Sequence, residues 1–341
     1  MKVAIIGAGG FVGGWVAEEL AAGNAHEPIT YVRRWASSQR VARRGIPLRA
    51  ADATMDFSGI GAVVNASMSG EGEPALLRDL YRRATDAGVN RFIHLSSAAV
   101  YGDLTGTVDE TMTPMPDNDY ARGKRAGELE LLKLATSGGP EVVILRPSII
   151  YGPFSEGWTI RYAKRIVAGK WLELGKPGLG TNNLIHARDV VGAIRAAIEA
   201  PDFASPLVLN INGPDRPSWN EYIRRFGDAL GVEGRTTPNA LSLAISTSSA
   251  KLTRSVGRVA KKYARGLINT LTASSPSAKT MVQGAKGIAN LYPDDAELKL
   301  LGRKVVYDDS LAARTIGYKP TMTLKAGLEE STAWLRRHGI V

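Results

Sequence analysis

The run "KVAIIGAGGFVGG" at residues 2–14 constrains this chain more than any other stretch. Its first half is a continuous β-favouring apolar run that stops at a glycine. The "GWVAEELAAG" that follows has helical spacing and ends on a glycine suited to a C-cap. Strand, tight turn and helix therefore come in immediate succession. The rhythm returns in "PITYVR" with "SSQRVARRG", "AVVNAS" with "PALLRDLYRRATDAG", "RFIHLSS" with "DYARGKRAGELELLKLATSGG", and the closing strand "EVVILRPS". Short apolar strands alternating with amphipathic helices build a parallel sheet covered by helices on both faces.

This predicts an α/β chain whose residues 1–150 form a Rossmann-type, doubly wound dinucleotide-binding domain. After residue 150 the alternation becomes irregular. "SEGWTIRYAKRIVAG" and "DVVGAIRAAIEA" read as helices, and "PLVLNING" supplies a strand near 206–212 that rejoins the sheet. Residues 151–341 are expected to form a smaller, mostly helical substrate-binding part that includes a basic helical insertion at 236–300. No internal repeat is present, and "TASSPSAK" at 272–279 is the nearest thing to a linker.

The turn itself reads Gly7, Gly10, Gly13, a G-x-x-G-x-x-G spacing in which Val12 stands where the G-x-G-x-x-G form has its last glycine. Glycine there lets a pyrophosphate approach the backbone, and a helix opening at Phe11 and Val12 offers unpaired N–H groups and a partial positive charge. An ordinary glycine turn is the competing reading. Because the motif follows a strand and opens a helix, it points to a dinucleotide. NAD-selecting sites carry an acidic residue at the end of the second strand, but here "ITYV" runs into Arg33 and Arg34. A guanidinium suits a 2'-phosphate, so NADP is the expected cofactor, with NAD as the alternative if the two arginines are merely solvated.

The composition removes several function classes. With no cysteine, the chain has no disulfide framework and no thiolate nucleophile, and His26, His94, His186 and His338 lack metal-ligand spacing, so no metal is expected. The N-terminal apolar run is too short for a signal peptide, and no uncharged apolar stretch approaches about 18 residues, which predicts a cytoplasmic protein. The formal net charge of +10 is concentrated. Arg235, Lys251, Arg254, Arg258, Lys261, Lys262, Arg265, Lys279 and Lys286 lie between residues 234 and 293, where there is no acidic residue. Nucleic acid is not expected as a partner, because no recognition motif or aromatic interleaving accompanies that charge. Lys251, Arg254, Arg258, Lys261 and Arg265 recur every three or four residues, a pattern that fits contact of 250–271 with an anionic membrane, or a lid or dimer-contact helix with a solvated basic face.

The stretch "DYARGK" places Tyr120 one helical turn ahead of Lys124, a spacing at which an ammonium can lower a phenol's pKa from about 10 towards neutrality. The tyrosine covering a helix start and the lysine being a solvated charge is the plain alternative. Taken together, "GAGGFVG", "LSSAAVYG", "YARGK", "LRPSIIYGP", "NLIHARDVVGAI" and "DDSLAARTIGYKPTMTLKAGLEEST" resemble the extended short-chain dehydrogenase/reductase family, the NAD(P)-dependent sugar epimerase, dehydratase and reductase group. The resemblance covers residues 1 to about 235 and about 303 to 338. It implies that Tyr120 is the proton donor and acceptor, that Lys124 lowers its pKa and holds the nicotinamide ribose, and that Ser97 bonds the substrate oxygen. It also implies that Asp52 contacts the adenine, although a loop aspartate capping a turn accounts for Asp52 equally simply. A homodimer and a small carbohydrate-like substrate are further implications of the same resemblance.

Departures narrow the chemistry. Where family dehydratases carry an Asp-Glu pair this chain has Ala98 and Ala99, so water elimination is not expected. Ile149 and Asn182 stand where sugar-nucleotide members carry an asparagine and a diphosphate-binding arginine, and Arg303 is out of register with another usual arginine. The expected activity is oxidoreduction or epimerisation at a secondary alcohol or ketone of a sugar or sugar-nucleotide-like substrate. The alternative is a non-catalytic dinucleotide-binding or membrane-peripheral protein that retains the fold.

Overall fold

Strand β1 (Lys2–Ile6) buries Val3, Ala4, Ile5 and Ile6, as a strand covered on both faces must. A computed structural model describes residues 1–68, 70–135, 138–169, 174–201, 203–232 and 293–341. After β1 come α1 (Phe11–Ala22), β2 (Glu27–Val32), a short α2 (Gln39–Ala42), β3 (Leu48–Ala50), β4 (Ala62–Asn65), α3 (Glu73–Asp86), β5 (Arg91–Leu95), β6 (Gly106–Val108), α4 (Asp119–Leu134) and β7 (Glu141–Pro147). The chain continues through β8 (Ile149–Tyr151), α5 (Arg161–Val167), β9 (Leu184–His186), α6 (Ala187–Glu199), β10 (Leu207–Ile211) and α7 (Trp219–Leu230). Beyond residue 292 lie helices Asp295–Leu301, Ser310–Ile316 and Leu324–Arg337, with β11 (Val305–Tyr307) after the first of them.

Seven strands form one parallel sheet in the order β10-β7-β5-β4-β1-β2-β3. From β1 the chain runs outward through β2 and β3, then returns to the other side of β1 as β4. That reversal opens a crevice at the carboxyl ends of β1 and β4, where ligands of open α/β sheets bind. The register pairs Ile6 with Asn65, so Gly7 and Ala66 leave the sheet side by side. One face carries Ala4, Ile6, Val63, Phe92, Val142 and Ile144 against Leu77, Leu80, Tyr81 and Ala84 of α3 and Leu131 of α4. On the remaining helices, α1 buries Trp15, Val16 and Leu20, and α6 buries Val190, Val191, Ile194 and Ile198.

The chain divides into two compact units. The first comprises Met1–Gly152, Asn183–Arg216 and Lys304–Gly327, so the chain returns to the sheet-bearing unit twice after residue 150. The sequence pattern showed only the first return, the strand near 206–212. The second was hidden because it is made by pieces too short to have a period: β11 pairs with β6, and Tyr307 stacks on Tyr101. The second unit comprises Pro153–Asn182, Pro217–Arg303 and Leu328–Val341. Its described part packs Tyr162 against Trp219 with ring centroids 5.8 Å apart, and Arg165 binds Glu297 at 2.7 and 3.1 Å. The expected helix "SEGWTIRYAKRIVAG" is a π turn, Glu156–Ile160, running into α5. Most of the basic insertion expected at 236–300, including the 250–271 stretch, lies outside the described residues.

Candidate active site

The turn after β1 is held by backbone bonds from Gly7 N to Tyr31 O at 3.1 Å and from Gly10 N to Gly7 O at 2.9 Å. Gly7 has φ +87°, and a Cβ there would sit 2.9 Å from the backbone of Ser67. A Cβ on Gly13 would sit 2.2 Å from Gly7 O, so only glycine lets α1 rest directly on the turn. Gly10 is the N-cap of α1, and no side chain caps that end. The N–H groups opening the helix at Phe11 and Val12 are therefore left to a ligand or to water, an arrangement that fits a phosphate.

Arg33 and Arg34 follow β2 and are exposed. The Arg33 guanidinium reaches the loop after β4, donating from Nη2 to Met68 O at 3.2 Å. The Arg34 carbonyl accepts from Ser37 N and Oγ at 3.3 and 2.8 Å. Asp52 is exposed as well, and its Oδ1 accepts from Thr54 N at 2.8 Å and Thr54 Oγ1 at 2.6 Å. These bonds hold its carboxyl below the usual carboxylate range, first through the Thr54 hydroxyl and then through the Thr54 amide. The turn-capping use weighed for Asp52 is present in the fold.

Helix α4 begins where Asn118 Oδ1 accepts from Ala121 N at 3.0 Å and Asp119 adds a negative charge to the first turn. That start sets Tyr120 in the opening turn, where its phenol comes within reach of the Ser97 side chain. Ser97 follows β5, caps the short helix Ala98–Tyr101, and accepts from Ala99 N at 3.2 Å. It thus serves the backbone and meets Tyr120 as well. The structure brings Ser97 and Tyr120 together, with Lys124 one turn further along the same helix.

The state of the phenol differs from expectation. Tyr120 is 47% exposed, yet the protein around it leaves a phenolate poorly hydrated, and this burial is the main reason its pKa is raised. The Ser97 hydroxyl lowers it and the charge of Glu73 raises it again. Partial exposure limits the size of the effect, but its direction is upward, where the Tyr–Lys spacing predicted downward. The nearby ammonium is itself engaged within the protein. Lys124 Nζ donates to Glu73 Oε1 at 2.9 Å, Leu95 O at 2.9 Å and Ser67 O at 3.2 Å, with its side chain only 5% exposed.

Three buried residues beside this group carry no signature in the sequence. Glu73 opens α3 and is 1% exposed. His94 Nε2 lies 3.9 Å from Glu73 Oε1, and His94 Nδ1 is 3.2 Å from Asn65 Nδ2. Asn65 Oδ1 accepts from Ser67 N at 3.1 Å, which fixes its amide group as the donor towards His94. His94 is therefore neutral with its proton on Nε2, in keeping with a pKa held well below the ordinary imidazole value by burial and then by the Lys124 charge. An acidic residue before Pro74 at a helix start was the available signal for Glu73; nothing local marked it as buried.

Ala98 and Ala99 offer no proton-carrying side chain beside Ser97. Asn182, in the second unit, is fully buried with neither side-chain polar atom bonded. Among the described residues no cluster of His, Cys, Asp or Glu could hold a metal ion, and no helix is long and apolar enough to cross a membrane.

The sequence model of the NAD dependent epimerase/dehydratase family matches residues 3–212. Among characterised and uncharacterised relatives, the chain is 33% identical over 193 residues to Protein YeeZ of Escherichia coli (strain K12), covering 56% of this chain and 65% of that protein. It is 32% identical over 155 residues to a UDP-glucose 4-epimerase of Vibrio cholerae, covering 45% of this chain and 47% of the epimerase. The matched stretch thus spans about half to two thirds of these relatives. In three dimensions the chain resembles UDP-glucuronic acid 4-epimerase from Bacillus cereus, solved in complex with NAD, with TM-score 0.72, 18% identity and 99% of each chain covered. That likeness speaks for the fold.

Proposed function

The chain belongs to the NAD dependent epimerase/dehydratase family, and from that premise we propose that it is a nicotinamide-dependent oxidoreductase or epimerase acting at a secondary alcohol or ketone of a sugar or sugar-nucleotide-like substrate. The observation that carries this reading is the placing of Ser97 by Tyr120, whose helix carries the buried Lys124, in the same unit as the glycine turn.

When bound, the cofactor supplies a hydride acceptor or donor. The chain's residues handle the proton. As hydride leaves the carbinol carbon, its oxygen must lose a proton, which the Tyr120 phenolate takes; in the reverse direction the Tyr120 phenol returns it to the alkoxide. Ser97 Oγ orients the substrate oxygen, Lys124 engages the nicotinamide ribose, and the N–H groups at the start of α1 hold the pyrophosphate. Epimerisation follows if the ketone turns its other face before hydride returns; net oxidation follows if the ketone leaves instead, and reduction is the same step run from ketone and reduced cofactor. Ala98 and Ala99 argue against dehydration.

Arg33 and Arg34 support NADP over NAD, although the solved B. cereus neighbour holds NAD. Asp52 remains a proposed adenine contact through the part of its carboxylate that Thr54 leaves open. A cytoplasmic homodimer completes the proposal, with 250–271 as a possible membrane-contacting element. Incubation with NAD+ or NADP+ and a panel of UDP-hexoses, read by proton NMR of the anomeric region, tests the reading: formation of an epimer or a keto-sugar supports it. Turnover of none of the nucleotide sugars, nor of simple ketones offered with NADPH or NADH, with the dinucleotide still bound, favours the non-catalytic alternative.

A further inference from the structure

Lys124 has three N–H donors, and all three are used within the protein: Glu73 Oε1 and Leu95 O at 2.9 Å, and Ser67 O at 3.2 Å. Two of those acceptors are backbone carbonyls: Leu95 O at the end of β5, and Ser67 O two residues past β4, where the Asn65 side chain holds Ser67. Glu73 is the charged acceptor, and it arrives from a different element, the first turn of α3.

What brings it there is a close helix approach. Gly123 and Gly127 lie one turn apart on α4, on either side of Lys124 in the sequence. A Cβ on Gly123 would come 2.9 Å from Gly70 O, just ahead of α3. A Cβ on Gly127 would come 2.9 Å from Glu73 Cγ and 2.8 Å from Leu77 Cδ1. The two glycines make room for the start of α3, and the carboxylate enters the space beneath Lys124. Other groups around it cannot replace it as a counter-charge: His94 on β5 is neutral, and Asn65 on β4 is spent on Ser67 and His94.

We propose that Glu73 is a positioning residue that holds and neutralises the Lys124 ammonium, so that Lys124 acts on Tyr120, and on a bound dinucleotide, only to the extent that Glu73 gives it up. This rests on the Tyr120–Lys124 reading above and adds a third, acidic member to it. The physical consequence is a site whose phenol stays protonated while the pair is intact. Any hydroxyl that Lys124 is to hold must replace one of its three present acceptors, and Glu73 is the one carried on a side chain and not on the backbone. The groups that bear on the phenol are Ser97 from the end of β5, and Glu73 from α3 with Lys124 from its own helix, while His94 contributes no charge.

The test is the ionisation of Tyr120 in the cofactor-free protein, read as phenolate absorbance at 295 nm. Tyr120 is one of 11 tyrosines, so each protein is compared with its own Tyr120→Phe counterpart to isolate the step. Glu73→Gln keeps the size and one acceptor but removes the charge, and the ionisation constant of Tyr120 is expected to rise at least tenfold. Glu73→Asp is expected to stay between the two. A purely structural counter-ion predicts that Glu73→Gln lowers the melting temperature and leaves the Tyr120 step within about twofold of wild type, and that outcome overturns the proposal. Should Glu73→Gln alone fail to fold, the double variant Glu73→Gln with Lys124→Gln carries the test. Its Tyr120 constant is expected within about threefold of wild type, because a neutral pair has been exchanged for a neutral pair. A tenfold weaker acid in the double variant would show that Lys124 acidifies the phenol despite Glu73, and would also overturn it. None of these readouts involves turnover, so a failure to find a substrate leaves the result standing, and a failure here leaves the proposed activity standing.

Discussion

Arg146 and Glu128 meet through two bonds of 2.8 Å, Nε to Oε1 and Nη2 to Oε2, with both side chains buried. The pair joins β7 to α4, the helix that carries Tyr120 and Lys124, and Glu128 Oε1 also accepts from Ser96 Oγ at 2.6 Å. Arg146 Nη1 in turn donates to Tyr101 Oη at 2.8 Å. The helix is thus anchored to the sheet by a bidentate ionic contact one turn beyond Lys124, and breaking one side of it strands a buried charge. Glu128→Ala is expected to cost about 3 kcal/mol or more, by the usual penalty for orphaning a buried ion. Urea denaturation measures it; a loss below about 1 kcal/mol, the range of exposed pairs, would show that the contact does not anchor the helix.

His94 gives the fold an acid sensitivity. Its folded pKa is held well below the ordinary value, first by burial and then by the Lys124 charge, while the unfolded chain titrates near about 6.5. Below that pH the unfolded state takes up a proton that the folded state refuses. This contribution is therefore fully present above about 6.5 and is lost as pH falls from there towards the folded value. The melting temperature should drop between about pH 6.5 and pH 5, and His94→Gln should flatten that drop. Equal pH dependence in the two proteins would remove His94 as its cause.

Cofactor choice is expected to follow Arg33. The proposal predicts tighter binding of NADPH than NADH, and a shift towards NADH in Arg33→Asp through loss of a charge-assisted bond of roughly 1.5–3 kcal/mol. That corresponds to a change of about ten- to a hundredfold in the ratio of dissociation constants. Fluorescence titration with both nucleotides reads it directly. Equal or tighter NADH binding by the wild type would assign NAD to this chain and leave Arg33 as a solvated residue.

The basic segment makes a separate prediction. If Lys251, Arg254, Arg258, Lys261 and Arg265 face an anionic surface, each contributes about 1 kcal/mol near it. Co-sedimentation with vesicles containing anionic lipid should then be salt-sensitive, and should disappear when the five are changed to Gln. Absence of binding by the wild type leaves the lid or dimer-contact reading.

The sheet-bearing unit was legible because its elements are long enough to carry a period: "KVAII", "AVVN" and "RFIHL" are wholly apolar or nearly so, and the helices between them repeat at helical spacing. Tyr120, Lys124 and Ser97 were legible as a pattern of residue types with an order and a spacing. Glu73, His94 and Asn65 were not, because each looks locally like an ordinary helix-start acid, strand histidine or strand-end amide. The β4–β5 register sets Asn65 beside His94, and the approach of α3 to α4, permitted by Gly123 and Gly127, brings Glu73 to Lys124. The phenol's upward direction comes first from burial, with the Glu73 charge adding to it, and neither could be read from the Tyr–Lys spacing.

The central claim, that Tyr120 carries the proton that accompanies hydride transfer, is tested most directly in a single turnover. The protein, preloaded with NAD+ or NADP+ and in excess over a UDP-hexose that the NMR panel shows to react, is mixed in a stopped flow and followed at 340 nm. The account predicts a rise in absorbance for the wild type and a rate at least about a hundredfold lower for Tyr120→Phe, the usual weight of a positioned general acid–base, with dinucleotide affinity changed by no more than a few-fold. A Tyr120→Phe protein that reduces its bound dinucleotide at the wild-type rate would contradict the account.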